Sequence, residues 1–170
     1  KVLDTLIILK KKRLVKNFGA SIYSERELLY VLRNKIFTYI QLPINIADSY
    51  YFMKYRNKLK GKIIIARSLV LQGTLLSTNI FFKFKKQITN FRKYINAISH
   101  ENKISNEELI YRYVFSLKNL NYALIGSINK ENIKKILSYK KKGSLNNKLI
   151  NKLNEISAIK KNWSNPKKWN

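Results

Sequence analysis

The residues best placed to do chemistry lie in and just after residues 63–76, Ile-Ile-Ile-Ala-Arg-Ser-Leu-Val-Leu-Gln-Gly-Thr-Leu-Leu. An apolar β-type run feeds directly into the polar pair Arg67-Ser68, and an apolar turn follows that closes on Gly73. In parallel α/β proteins the C-terminal end of a strand is where side chains meet ligand. A guanidinium there can stack on a planar ring, and glycine lets a ligand approach the backbone closely. Ser21 and Gln41 stand at the ends of two earlier apolar runs. A glutamine at a buried strand end needs a hydrogen-bond partner, so Gln41 fits a structural role as well as a ligand contact. Further on, Gly126-Ser127-Ile128-Asn129 leads to a helix start, where backbone N–H groups suit a phosphate. This is chemistry of holding and orienting rather than of acid–base transfer.

The elements that must position these groups alternate between strand-like and helix-like patterns. Val2, Leu3, Leu6, Ile7 and Leu9 describe the end of a helix closed by the basic residues 10–13, whose charges suit a helix C-terminus. Residues 15–22 read as a strand. Ser24-Glu25-Arg26-Glu27 is a capping box opening a helix through Leu28, Leu29 and Leu32. Residues 37–42 form a second strand ended by Pro43. Asp48 or Ser49 caps a helix that stops near Gly61, and residues 62–66 form a third strand. A helix follows over residues 88–101, and Ser105-Asn106-Glu107-Glu108 makes a second capping box. The helix it opens sets Leu109, Ile110, Tyr113, Val114 and Leu117 on one face. Residues 122–125 form the fourth strand, and Asn129 caps a helix carrying Ile133, Ile136 and Leu137. Past a break at residues 140–143, Leu145, Leu149, Ile150, Leu153 and Ile156 line a further amphipathic helix. The expected division is a barrel segment over residues 1–160 and a polar, loose tail over 161–170, Trp163 and Trp169 excepted.

Repeated strand–helix units imply a parallel sheet with right-handed crossovers. Four of them make half of a (β/α)₈ barrel, with two unpaired edges and an open interior. The expected fold class is therefore α/β, the C-terminal half of such a barrel plus a C-terminal helix. Beginning at Lys1 with Met53 its only methionine, the sequence is expected to be part of a longer chain, any targeting signal then lying outside it.

Composition narrows the classes. The 170 residues are 45% hydrophobic, enough for one sizeable core. No apolar run approaches bilayer length, so a soluble, cytoplasmic protein without a membrane partner is expected. With no cysteine there are no disulfides or thiolate metal sites, and the single His100 excludes a histidine cluster. His100 sits among polar residues near a helix end and reads as exposed. The net charge of +26 raises nucleic acid as a partner. Yet of 35 cationic residues only seven are arginine, the residue preferred for phosphate and base recognition. With abundant Asn, Ile, Tyr and Phe, this fits drift in an AT-rich coding sequence, the charge lying on solvated helix faces.

The strand-end motifs, taken in order, resemble the second half of the aldo-keto reductase barrel. Phe18-Gly19-Ala20-Ser21-Ile22-Tyr23-Ser24 is similar to that family's Gly-Val-Ser-Asn/Val-Tyr/Phe-Ser, with Ser21 at the serine that binds the nicotinamide carboxamide and Ile22 in place of a common asparagine. Gln41-Leu42-Pro43-Ile44-Asn45-Ile46-Ala47-Asp48 resembles Gln-x-Pro-Tyr/Phe-Asn-x-x-Asp, where the glutamine contacts the same carboxamide; Asn45 and Asp48 are read as fixing the loop. Ser68, Leu69, Val70, Gly73 and Leu75 fall in register with Ser-Pro-Leu-x-x-Gly-x-Leu. The resemblance sets Arg67 where many relatives stack an aromatic ring on nicotinamide, and lays Ser68, Leu69 and Gly73 along the pyrophosphate. Gly126, Ser127 and Asn132 resemble the eighth-strand phosphate loop. A cation at Gly126, a glutamine or arginine at Asn132 and an asparagine at Ile136 are absent, which leaves NADP and NAD both open.

The resemblance spans roughly residues 1–137. It implies a fragment of an NAD(P)-dependent oxidoreductase reducing aldehydes or ketones, with cofactor contacts at Ser21, Gln41, Arg67, Ser68, Leu69, Gly73, Gly126, Ser127 and Asn132 and no metal. The family's catalytic Asp, Tyr, Lys and His belong to the first half of its barrel and have no match here, so this chain by itself is not expected to reduce a carbonyl. Two other readings remain. One is a basic RNA- or ribosome-associated module on a degenerate barrel fragment, using residues 10–12, 83–86 and 140–142. The other is a barrel that senses cofactor without chemistry. The RNA reading requires those clusters on one face and an affinity that falls steeply with salt.

Overall fold

The computed structural model describes residues 1–77 and 83–169. Helix α1 (Val2–Lys11) leads to strand β1 (Phe18–Ser21), followed by α2 (Glu25–Arg33), β2 (Phe37–Pro43), α3 (Tyr50–Lys54) and β3 (Ile63–Arg67). Two helices, α4 (Lys85–Glu101) and α5 (Asn106–Phe115), precede β4 (Tyr122–Ala123), and α6 (Lys130–Lys141) and α7 (Asn147–Ser157) follow it. The four strands pair in the order β1-β2-β3-β4, every pair parallel. This is the expected α/β architecture, half of a (β/α)₈ barrel.

The two faces of the sheet differ. Ile40, Leu42, Ile64 and Ala66 are at most 1% exposed and pack under the helices with Leu28, Leu109 and Val114. Alternation puts the intervening residues on the other face. There the register sets Ser21, Gln41, Ile65 and Tyr122 side by side. Ser21 is exposed, Gln41 and Ile65 are half-buried, and Tyr122 is 59% exposed. One row earlier Gly19 lies beside Tyr39. A Cβ at Gly19 would stand 2.7 Å from the Tyr39 Cβ and 3.0 Å from its carbonyl oxygen, so only glycine allows this approach.

Several local readings hold. Ser24 Oγ accepts the Glu27 N–H at 3.3 Å while the Glu27 carboxylate accepts the Ser24 N–H at 2.9 Å, a complete capping box. Asn129 Oδ1 accepts the Glu131 N–H at 2.8 Å and opens α6. The second box is half-formed. Ser105 Oγ accepts the Glu108 N–H, but the Glu108 carboxylate turns instead to Arg112 Nη1 at 2.8 Å and Lys142 Nζ at 2.6 Å. On α6, Ile136 is buried while Ile133 and Leu137 are partly exposed.

Other expectations shorten. The first strand covers residues 18–21 rather than 15–22, beginning only where β2 begins opposite it. The helix after Asp48 is a five-residue turn rather than a run to Gly61; Asp48 Oδ1 accepts the Tyr50 N–H at its start, and Ser49 gives no side-chain cap. Only two residues of the fourth strand pair. Asn121 takes over part of the ladder, its Oδ1 accepting the Ile64 N–H at 2.8 Å and its own N–H donating to the Ile64 carbonyl.

The tail is not loose. It forms two short 3₁₀ turns, with Trp163 and Ser164 buried and the Trp163 ring 5.0 Å from that of Phe91 on α4. Asn170 lies outside the described residues. Behind the tail, the fully buried Tyr113 on α5 joins three elements. Its hydroxyl lies 2.6 Å from Ser157 Oγ on α7, with Asn154 Oδ1 at 3.2 Å and Ser49 Oγ at 3.3 Å as alternative acceptors for its one proton. Tyr113→Phe removes this hydroxyl, while Ser49 Oγ keeps its bond to the Asn45 carbonyl and Ser157 Oγ its bond to the Asn154 carbonyl. The expected loss in urea unfolding is about 0.5–1.5 kcal/mol, with faster proteolysis within residues 145–157.

Candidate functional site

All strands point the same way, so their C-terminal ends share one edge, and the sequence-selected residues gather there in three groups. On the uncovered face Ser21 Oγ donates to Gln41 Oε1 at 2.9 Å. This leaves the Gln41 amide N–H donors and the serine lone pairs. Two residues beyond Ile65, Arg67 reaches back across β2: its Nη2 donates to the Ile22 carbonyl at 2.9 Å and its Nη1 to Ser68 Oγ at 3.2 Å. Its guanidinium carbon lies 4.1 Å from the centre of the Tyr23 ring.

The second group rings an opening between the turn after β3 and the end of β4. Ser68, Leu69, Gly73, Leu124, Ile125 and Gly126 contribute to its wall. The turn is wound left-handed: Ser68, Leu71 and Gln72 have φ of 58°, 49° and 53°, and Gly73 has φ of 81°. Non-glycine residues in this region cost about 1–2 kcal/mol each. Burial offsets that cost, since Leu71 is fully enclosed and Leu69 is 3% exposed. The buried Asn45 fixes the turn from β2, donating from Nδ2 to the Ser68 carbonyl at 3.1 Å while its Oδ1 accepts the Ala47 and Asp48 N–H groups. Asn45 therefore shapes the loop, as its position suggested. Nothing lies within 4 Å of a Cβ built on Gly126.

The third group stands apart. Ser127 Oγ closes a local turn with Asn129. Asn132 is exposed on the first turn of α6, its N–H within 3.4 Å of Asn129 Oδ1. The amides proposed for a phosphate are thus already capped by this chain's own asparagine.

Sequence reasoning missed the tail. Lys160, Lys161, Ser164 and Lys168 come to the ends of β2 and β3 beside Asp48, Tyr50 and Arg67. Lys161 Nζ donates to the carbonyls of Ala47 (3.0 Å), Ile156 (2.5 Å) and Ile159 (2.9 Å). Burial pulls its pKa down, with Asp48 opposing. Burial pushes the Asp48 carboxyl up, with hydrogen bonds from Ser164 Oγ (2.7 Å) and the Tyr50 N–H opposing. The bond from Lys161 to Ala47 joins residues far apart in the chain, and no local pattern announces it.

Solved structures share this fold. An aldo-keto reductase from Bacillus halodurans, AKR11C1, superposes in its holo form with a TM-score of 0.73 at 14% identity, over 94% of this chain and 57% of that one. Its apo form gives the same score over 58% of that chain. The thermostable aldo-keto reductase Tm1743, in complex with the inhibitor epalrestat, gives 0.63 at 14% identity over 91% of this chain and 53% of that one. This is the aldo-keto reductase fold. The chain spans a little over half the length of these structures, and at such identity the likeness is one of fold. No family model and no curated protein matches the sequence.

With the fold placed, the charge reads differently. The clusters suggested for RNA belong to separate helices: residues 10–12 end α1, residues 140–142 end α6, and Lys85 and Lys86 open α4. Lys142 is paired with Glu108. Among the described residues no helix is long and apolar enough to cross a membrane, and no cluster of ligating side chains could hold a metal.

Asp48 offers a pH test. A carboxyl raised in the folded state favours folding when protonated, so its contribution declines as pH rises from the unfolded value near 4 through the folded one. Asp48→Asn keeps an oxygen for the Tyr50 N–H, turns its NH2 toward Ser164 Oγ as a donor, and escapes this decline. Urea unfolding is expected to show the two proteins alike at pH 3.5 and the variant gaining relative to the parent by pH 7; a gain by the parent instead contradicts the burial argument.

Proposed function

We propose that this chain forms the nicotinamide- and phosphate-holding part of an NAD(P)-dependent oxidoreductase acting on aldehydes or ketones, in the manner of the C-terminal half of an aldo-keto reductase. The carrying observation is the opening beside Gly126, which gathers Ser68, Leu69 and Gly73 at the ends of parallel strands on a barrel-half scaffold. Those residues were selected from sequence motifs separated by more than 50 positions.

A bound nicotinamide dinucleotide would supply the hydride. The residues present suit that group. Gln41 and Ser21 form a polar pair with free donors and acceptors, as a carboxamide requires, on the face left open by the sheet. Arg67 offers a flat cation anchored at both ends. The left-handed turn carries its backbone past Gly73 on one side of the opening, and Gly126 leaves the other side clear. The work is positioning, the removal of translational and rotational freedom before reaction. Proton transfer is assigned to residues outside this sequence: no tyrosine here stands in the family's catalytic motif, and His100 is exposed near the end of α4. Cytoplasmic placement belongs to the same proposal.

Calorimetric titration with NADPH and with NADH tests the reading. Saturable one-site binding of at least one dinucleotide is expected, without carbonyl reduction. Gly126→Val is expected to weaken it about tenfold, some 1.4 kcal/mol, while stability stays within about 0.5 kcal/mol, because the added side chain meets only open space. Absence of saturable binding to both dinucleotides overturns the proposal, as does an unchanged affinity in Gly126→Val.

A further inference from the structure

Where the tail crosses the ends of β2 and β3 it leaves a pocket of about 60 Å³. A dinucleotide does not fit; a single carboxylate or phosphate group does.

The walls are cationic. Arg67, Lys160, Lys161 and Lys168 line the pocket with one carboxylate, Asp48. Elsewhere the scarce acids are paired, Glu25 with Lys54, Glu107 with Lys135, and Glu108 with both Arg112 and Lys142. Among the described residues, none of the pocket's cations lies within 4.0 Å of a carboxylate oxygen.

Their donors are engaged to different extents. Lys161 spends its hydrogen bonds on backbone carbonyls, and Asp48 is the carboxylate whose charge acts on it. Lys168 reaches Asn162 Oδ1 at 2.9 Å. Lys160 Nζ lies 5.7 Å and 5.6 Å from the ring centres of Tyr50 and Tyr51, which attract an ammonium without neutralising it. Arg67 has an Nε–H shut away from solvent with no acceptor. A charged donor enclosed and unmatched is costly. An oxyanion in the pocket adds counter-charge to the four cations beyond what Asp48 supplies, and arginine is the side chain best shaped to receive it.

We propose that this pocket receives an anionic group, a carboxylate or a phosphate, carried by the carbonyl substrate. That the anion belongs to a substrate rests on the oxidoreductase reading above; that the pocket takes an anion rests on Arg67 and the tail lysines. Arg67 then meets both ligands, the dinucleotide on the open face of the sheet and the anion under the tail.

The test follows the Arg67 Nε–H resonance of the whole chain by NMR at constant ionic strength in chloride. One arm adds inorganic phosphate and the other adds acetate, both without dinucleotide. A saturable displacement of that resonance is expected in at least one arm, weakened fivefold or more in Lys160→Gln and unchanged in Lys130→Gln, whose lysine opens α6. Saturation by phosphate alone assigns a phosphate-bearing substrate, and by acetate alone a carboxylate-bearing one. No saturable displacement in either arm overturns the inference, as does equal affinity in Lys160→Gln. The same samples titrated with NADPH and NADH separate the two readings: anion without dinucleotide retains the pocket and removes the oxidoreductase, and dinucleotide without anion does the reverse.

Discussion

Parallel pairing in strict sequence order is the constraint from which the rest follows. Each strand after β1 lies beside its predecessor and points the same way, so the chain must return along the sheet between strands. Helices make the returns and cover one face, sealing Ile40, Leu42, Ile64 and Ala66. All C-terminal strand ends are thereby brought to one edge. Ser21 and Arg67 end their strands, Gln41 lies two residues before the end of β2, and Ser68 and Gly73 lie in the turn after β3. Their grouping is a product of topology before it is one of function.

The elements legible from sequence were those whose cause is local. A capping box at Ser24 and an asparagine cap at Asn129 involve partners two or three residues away, and the structure contains both. The centres of β2 and β3 announce themselves as runs of Ile, Leu, Phe and Tyr. What the sequence concealed has distant causes. Tyr122 and Ala123 pair, but the Asn121 side chain replaces a ladder position that a pattern of apolar residues cannot reveal. Glu108 has the spacing of a capping residue, yet Lys142, far along the chain, draws its carboxylate away from that task. The Arg67–Tyr23 stack joins residues at the ends of two non-adjacent strands. The resemblance to a barrel family anticipated the fold that solved structures share with this chain at 14% identity. It said nothing of the tail, which lies beyond the residues that carry it.

The scarcity of acids shapes the electrostatics as much as the excess of bases. With nine carboxylates against 35 cationic side chains, ion pairs are a limited resource, and the structure places several of them between helices. Glu108 shows the effect. Burial pushes its carboxyl up, but Lys142 and Arg112 outweigh that and hold it below the usual range. Arg112 in turn donates to the Gly143 and Ser144 carbonyls, so one acidic residue organises the start of α5 and the break after α6. Asp48 is set among cations yet remains raised, because enclosure outweighs their attraction.

The placement of the two tryptophans gives the protein a built-in optical reporter. Trp163 and Trp169 are the only indoles in the sequence, and both are buried in the tail, the Trp169 Nε1–H donating to the Trp163 carbonyl at 2.7 Å. The sheet and the helices covering it contribute no indole emission of their own. Intrinsic fluorescence of this chain therefore follows the seating of its last few residues, and a tail that lifts away while the barrel half stays folded would be visible as a red shift without any loss of circular dichroism.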